Sequence, residues 1–112
     1  MKAYFGRNGH DVFVKEGNRV TPLRHVVKYS PTGFSWGYLG SGPADLSLSI
    51  LTDCCNLKVA DLLYQDFKFE FVSQWGPEFQ ISSDEILNWV KEKLYVKHVT
   101  ALGRGNLLKF EG

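Results

Sequence analysis

The chain has little of what staples or signposts a small protein. Cysteine occurs only as the adjacent pair Cys54 and Cys55, and methionine only at position 1. On a helix, neighbouring side chains diverge by about 100°, which is hostile to a disulfide or a chelate. The pair therefore reads as two small apolar core residues. No His-x-x-x-His and no Cys-x-x-Cys occurs, so a zinc site has no local nucleus and no metal is expected. No apolar run approaches the ~18 residues of a membrane span. The opening Met1-Lys2-Ala3-Tyr4-Phe5-Gly6-Arg7 lacks the apolar stretch of a signal peptide. The expectation is a cytoplasmic protein without membrane contact. Net charge is only +1, too balanced for a general nucleic-acid coat.

Catalytic signatures are also missing. Ser35, Ser41, Ser47 and Ser49 have no Gly-x-Ser-x-Gly context. His10 beside Asp11 is an acid–base pair in principle, with neither an orienting partner nor a nucleophile in view. No catalytic residue and no cofactor is assigned.

What is present is ordinary in bulk and uneven in detail. Apolar residues make up 44% of the 112 and charged residues 22%, as in a single globular domain. A chain of this size buries perhaps ~65% of its unfolded surface and needs no staple. Aromatics reach 14% and glycine 11 residues. The aromatics serve either as core area or as exposed stacking surfaces. An excess beyond one small core makes a homodimer unsurprising. Residues 1–30 carry six basic and two acidic groups, residues 31–90 two and eight, and residues 91–112 five and two. If both termini share one side of the fold, that side attracts anions.

The expected fold is α+β: a small antiparallel N-terminal sheet over residues 1–39 packed against about three helices over 41–94, in a single domain, with residues 95–112 a strand or tail. Lys2 to Arg7 reads as a strand, Asn8-Gly9 as a turn and Val12 to Val14 as the next strand. Arg19 to Tyr29 reads as a third strand, with Pro22 at an edge. Phe34, Trp36 and Tyr38 fall at period two and predict a fourth. Ser41 is the expected cap of the first helix, with Pro43 in its first turn. A second helix is expected from about Lys58 to Trp75 on the spacing of Ala60, Tyr64, Phe67, Phe71 and Trp75. The alternation of Phe67, Phe69 and Phe71 offers a competing strand. Ser82 and Glu85 fit a capping box for a third helix. Tyr95 to Thr100 reads as a last strand, followed by a turn at Gly103 to Asn106 and a pairing strand from Asn106 to Phe110.

The stretch Gly33 to Ala44 carries the most chemistry. It reads as strand, glycine loop, helix, and the amides of such a helix start have no helical partners. A phosphate or carboxylate seats there readily. Gly40 and Gly42 allow close approach, Ser41 caps or donates, and Trp36 and Tyr38 are placed to stack on a base or sugar. Arg7 and Arg24 supply countercharge if the sheet brings them near. The stretch lacks the lysine of a Walker loop and the Gly-x-Gly-x-x-Gly spacing.

Gly33-Phe34-Ser35-Trp36-Gly37-Tyr38-Leu39-Gly40-Ser41-Gly42-Pro43-Ala44, followed by the leucine-rich Leu46 to Leu51, resembles the signature of a small family of uncharacterised proteins from bacteria, prophages and bacteriophages. Tyr4 to Arg7, Tyr64 to Lys68, and Ile81-Ser82 leading to Glu85, Ile86 and Trp89 are similar to the family as well. The chain departs from the family pattern at Tyr29, Leu39 and Asp45, where His, Gly and Gln are usual. A carboxylate at Asp45 is expected to repel an anion on the helix start. The resemblance implies no activity. It implies a phage or prophage setting, in which small proteins block host defence by sequestering a nucleotide or by binding a defence complex. The leading expectation is a non-catalytic protein binding a small anionic, phosphorylated ligand. The alternatives are an inhibitor that binds a host defence protein through the acidic residues 45–85, and a small nucleotide-processing enzyme using His10 and Asp11.

Overall fold

A four-stranded antiparallel sheet lies on one side of a shared core and three helices on the other. The computed structural model describes the backbone of residues 1–111 and the side chains of residues 1–102. The strands are β1 (Lys2–Arg7), β2 (Asp11–Glu16), β3 (Arg19–Pro22) and β4 (Phe79–Ser82). Their order is β3-β2-β1-β4. The α+β class read from the sequence is the class observed.

Asn8 and Gly9 both take positive φ, 59° and 77°, the geometry of a two-residue hairpin that keeps the right-handed strand twist. That turn pairs β1 with β2 so that Phe5 faces Phe13 and Tyr4 faces Val14. Alternation then divides the sheet. Tyr4, Val12, Val14, Phe79 and Ile81 are buried against the helices. Ala3, Phe5, Asp11, Phe13 and Ser82 are half-buried and Arg7, Lys15, Val20, Pro22 and Gln80 exposed on the outer face.

Helix α1 (Ser41–Cys54) is the centre of the molecule. Every residue from Gly42 to Leu51 is buried, in keeping with apolar residues around its whole circumference. It packs against α2 (Leu57–Glu70), whose start is capped by Asn56 Oδ1 accepting from the Val59 amide at 2.9 Å. A short 3₁₀ turn, Val72–Gln74, follows. Helix α3 (Ser83–Glu111) begins where expected, with Ser82 Oγ accepting from the Glu85 amide at 3.2 Å. Ile86, Trp89 and Val90 bury its first turns, and the Trp89 ring meets Phe67 and Phe71 edge-on.

The structure corrects several expected elements. The third strand stops at Pro22, and residues 23–30 form a loop. Phe34 to Leu39 is not a strand. Gly33 and Gly37 hold φ of 132° and 88°, which break a pleat, and the Gly37 amide donates to the Val72 carbonyl instead of to a ladder. The second helix ends at Glu70, with the 3₁₀ turn carrying the chain toward Trp75. Phe67 to Glu70 is helical, so the competing strand does not form. β4 replaces it as the sheet's fourth member, pairing with β1. Tyr95 to Thr100 lies inside α3, as do the turn and strand expected after it. From Leu94 to Leu102 every residue of α3 is exposed.

Candidate functional site

The most unusual polar group in the fold is Asp45. It stands on α1 with no solvent exposure. Its Oδ2 accepts from His25 Nε2 at 2.9 Å, the Lys28 amide at 3.1 Å and the Ser30 amide at 3.0 Å. Its Oδ1 accepts from the Tyr29 amide at 2.9 Å. Burial alone pushes such a carboxyl up. The hydrogen bonds from His25 and the three amides outweigh it and hold Asp45 below the usual carboxylate range. Consecutive backbone N–H groups converging on one anion form a nest, and here the anion is part of the chain. The expectation that Asp45 confronts a ligand at the helix start is therefore corrected. Its carboxylate is buried and turned onto residues 25–30, which the sequence had suggested were strand as far as Tyr29. Ser49 Oγ adds a second tether by accepting from the Val26 amide at 2.8 Å.

This tethered loop forms one wall of a shallow cleft of about 370 Å³, lined by Tyr29, Gly40, Ser41, Ala44, Gln65 and Lys68. Three elements meet there: the 23–30 loop, the first turn of α1 and the middle of α2. Gly40, not Ser41, occupies the cap position of α1, in extended conformation and with no side chain to offer the first amides. Ser41 is the first helical residue and is exposed. The Ala44 amide donates to the Gly40 carbonyl at 3.0 Å, closing the first turn.

Beside the cleft, Tyr29 and Tyr64 share a hydrogen bond between hydroxyls at 2.9 Å. Lys28 Nζ lies 4.7 Å from the Tyr64 ring centroid and 3.1 Å from Asp61 Oδ1. Burial acts to raise the Tyr64 phenol, while hydrogen bonds with Tyr29, Gln65 and Lys28 outweigh it and lower it. Lys28 is held above the usual lysine range by its bond to Asp61 and by Tyr64. Tyr29, which lines the cleft, is thus tied to the buried Tyr64 hydroxyl, with the Lys28 ammonium close to both rings.

The residues singled out in the sequence separate into four places. Gly40 and Ser41 line the cleft, and Tyr38 packs over Gly40 beside it. Tyr38 is 52% exposed, its hydroxyl shares a 2.7 Å hydrogen bond with Ser35 Oγ, and its ring lies so close over Gly40 that a Cβ there would stand 2.5 Å from Cε2. Gly42 is buried, and a Cβ on it would lie 1.8 Å from Ser35 Oγ. Trp36 is a core residue at 8% exposure, edge-on to Phe79 with Nε1 donating to the Gly76 carbonyl at 2.7 Å. Arg7 lies over the Phe13 ring on the outer face of the sheet. Arg24 lines a separate cleft with Lys2, Glu16, Arg19 and Asp53. Lys68, Gln65 and Tyr29 were not read as site residues, because their nearness to Ser41 depends on how α2 and the Asp45-bound loop pack. His10, exposed, and Asp11, half-buried, stand 3.6 Å apart at the β1–β2 hairpin. Among the described residues no group of His, Cys, Asp and Glu is placed to hold a metal ion. Among them too, no helix is long and apolar enough to cross a membrane.

A family of unknown function, DUF6166, matches residues 3–92. The chain belongs to the DUF6166 family. The match takes in the sheet from Ala3 onward, α1, α2 and the buried turns of α3, and it stops where α3 leaves the core. The cleft and the Asp45 nest therefore lie within the DUF6166 part of the chain. No curated protein and no solved structure matches it.

Proposed function

We propose that this DUF6166 protein is a non-catalytic binding protein for a small phosphorylated ligand, with a nucleotide as the fitting class. The observation that carries the reading is the start of α1: its cap is a glycine with no side-chain oxygen, and it opens on the cleft beside Lys68. A phosphate fits that place for three reasons. The first amides of a helix lack intrahelical partners, the helix dipole is positive there, and the Lys68 ammonium adds a full charge. Tyr29 and Tyr38 supply aromatic faces for a base or sugar, and the Gln65 amide can both donate to and accept from a base edge. The cleft volume, about 370 Å³, is within the range of small-molecule sites. The tyrosine hydroxyls and Lys28 are engaged with one another, which suits holding a ligand more than transforming it. A protein that sequesters a nucleotide fits conflict between phage and host, the setting the family resemblance implies.

Isothermal titration against nucleoside mono-, di- and triphosphates, with the bare nucleosides as controls, tests the reading. The expected result is heat with phosphorylated ligands only, weakened by Lys68→Gln. Absence of heat with every phosphorylated ligand removes it.

A second reading has an observation of its own. On α2, Leu62 and Phe69 are 58% and 62% exposed, one above the other at a spacing of seven residues, with Asp66 between them on the same face. That face suits a protein partner, such as a host defence protein. Three carboxylates of the acidic stretch are matched within the chain, since Asp61 pairs with Lys28, Asp66 with Lys97 and Glu70 with Lys93. Co-purification with a host complex, lost on Phe69→Ser, favours this reading over the first.

A further inference from the structure

The outer face of the sheet is left open by the fold. All three helices pack on the other face, and none of the outward residues of the four strands is buried. At its centre, on the two neighbouring strands β1 and β2, Phe5 and Phe13 stand directly opposite each other. Their rings stack with centroids 5.4 Å apart and an interplanar angle of 27°. Such a pair on an uncovered face gives up apolar area to water that a buried pair would not. The Arg7 guanidinium lies 5.2 Å from the Phe13 centroid, and Lys15 is exposed on the same face two residues beyond Phe13. The one outward carboxylate of β1 and β2, Asp11, is held by Asn8 Nδ2 at 3.3 Å and faces His10 Nε2 at 3.6 Å. Gln80 is the neighbour of Phe5 on β4, and a cleft of about 470 Å³ runs along that edge past Phe5, Arg7, Glu78 and Gln80.

We infer that this face binds single-stranded nucleic acid. Two aromatic rings at the centre of an open antiparallel sheet offer stacking platforms to unpaired bases. Arg7 and Lys15 flank them with charge opposite to a phosphate backbone. Of the charged residues that β1 and β2 turn outward, Arg7 and Lys15 are basic and Asp11 alone is acidic, so the rings sit between two cations. A duplex hides its base faces and gains nothing from the ring pair, so the preferred form is a single strand. Gln80 supplies both a donor and an acceptor for a base edge beside Phe5. The inference is independent of the cleft at α1, which lies on another side of the core.

Fluorescence anisotropy of labelled deoxythymidine and uridine oligomers of about 12 nucleotides tests it on the full chain. The expected result is salt-sensitive binding to the single strands and at least about tenfold weaker binding to a duplex of equal length. Phe13→Leu keeps apolar bulk and removes the aromatic face, and weakens binding at least about fivefold. Arg7→Gln is exposed and leaves the fold unchanged, as a thermal melt checks, and flattens the slope of log affinity on log salt by about 0.7. Three results overturn the inference: no anisotropy change at low salt, binding indifferent to Phe13→Leu, or equal affinity for duplex. Self-association abolished by Phe13→Leu, without any oligomer binding, assigns the face to a second copy and also overturns it. Loss of nucleotide heat in Lys68→Gln with oligomer binding intact separates this surface from the α1 cleft.

Discussion

Replacing Asp45 with Asn removes the charge on which the 25–30 loop is assembled while leaving the side-chain volume nearly unchanged. Four donors meet two carboxylate oxygens: three on Oδ2 and one on Oδ1. An asparagine offers one oxygen and one NH₂. In its better orientation the oxygen keeps the three donors, but those bonds fall from charge-assisted to neutral, a loss of about 1 kcal/mol each. The NH₂ then faces the Tyr29 amide and strands a buried donor, which costs about 1–3 kcal/mol. The sum is about 4–6 kcal/mol, a large share of the ~5–15 kcal/mol that holds a domain. At ~4 °C per kcal/mol, the melting temperature falls by about 16–24 °C. Urea unfolding followed by circular dichroism measures the first figure and a thermal scan the second. The pH dependence gives a separate check. Folding lowers the Asp45 pKa from its usual 3.8, so the native state favours the deprotonated form. The associated stability is fully present above pH 3.8 and is lost as pH falls through the lower, folded-state value. The wild type should lose this increment in acid, and Asp45→Asn should lack it. A variant within about 1 kcal/mol of wild type, or with the same acid slope, refutes the argument that this carboxylate organises the loop.

Other substitutions test other parts of the structure. Gly37→Ala forces a Cβ to within 2.9 Å of the Trp75 carbonyl at a φ of 88°, and a loss of about 1–3 kcal/mol in urea unfolding is expected. Trp36→Phe keeps the ring against Phe79 but leaves the Gly76 carbonyl without its 2.7 Å donor; denaturant melts should show a loss of about 1–3 kcal/mol. Burial pushes the Cys54 thiol up to about 12 and raises that of Cys55, so both should react slowly with a disulfide reagent near neutral pH and rapidly once unfolded; rapid labelling of the native protein contradicts that.

The parts of this fold that the sequence makes legible are those set by neighbouring residues. The Asn8-Gly9 turn, the alternation on either side of it and the Ser82 cap of α3 each depend on a few adjacent positions, and each stands where expected. The misread parts depend on distant partners. Phe34, Trp36 and Tyr38 alternate like a strand, yet Trp36 is drawn inward by the Gly76 carbonyl and Gly37 by the Val72 carbonyl. These contacts span some forty residues, so the alternation is incidental. Tyr95 to Thr100 has the β-branched content of a strand, but it continues a helix already nucleated at Ser82, and propagation is easier than a fresh start. β4 is only four residues long and begins two residues after Pro77, so its pattern is too short to read. At the cleft, Gly40 and Ser41 were visible through the glycine loop, whereas Asp45 was not. Its identity suggested a surface charge in a helical turn, and only the packing of residues 25–30 across α1 makes it the buried anchor. Asp45 is the one charged residue among ten consecutive positions of α1 that are buried, and a charge in a helix with apolar residues around its circumference was the available signal.

The central claim is that the first amides of α1 grip a phosphorylated ligand, and removing one of them tests it most directly. Ser41 is the first helical residue, a position that tolerates proline, and Gly40 before it is already extended, as a residue preceding proline must be. Ser41→Pro therefore deletes a single N–H and a hydroxyl while leaving the helix in place. Titrated calorimetrically with the tightest nucleotide of the panel, the folded variant should bind at least about tenfold more weakly than wild type. Unchanged affinity in the folded variant would contradict the claim.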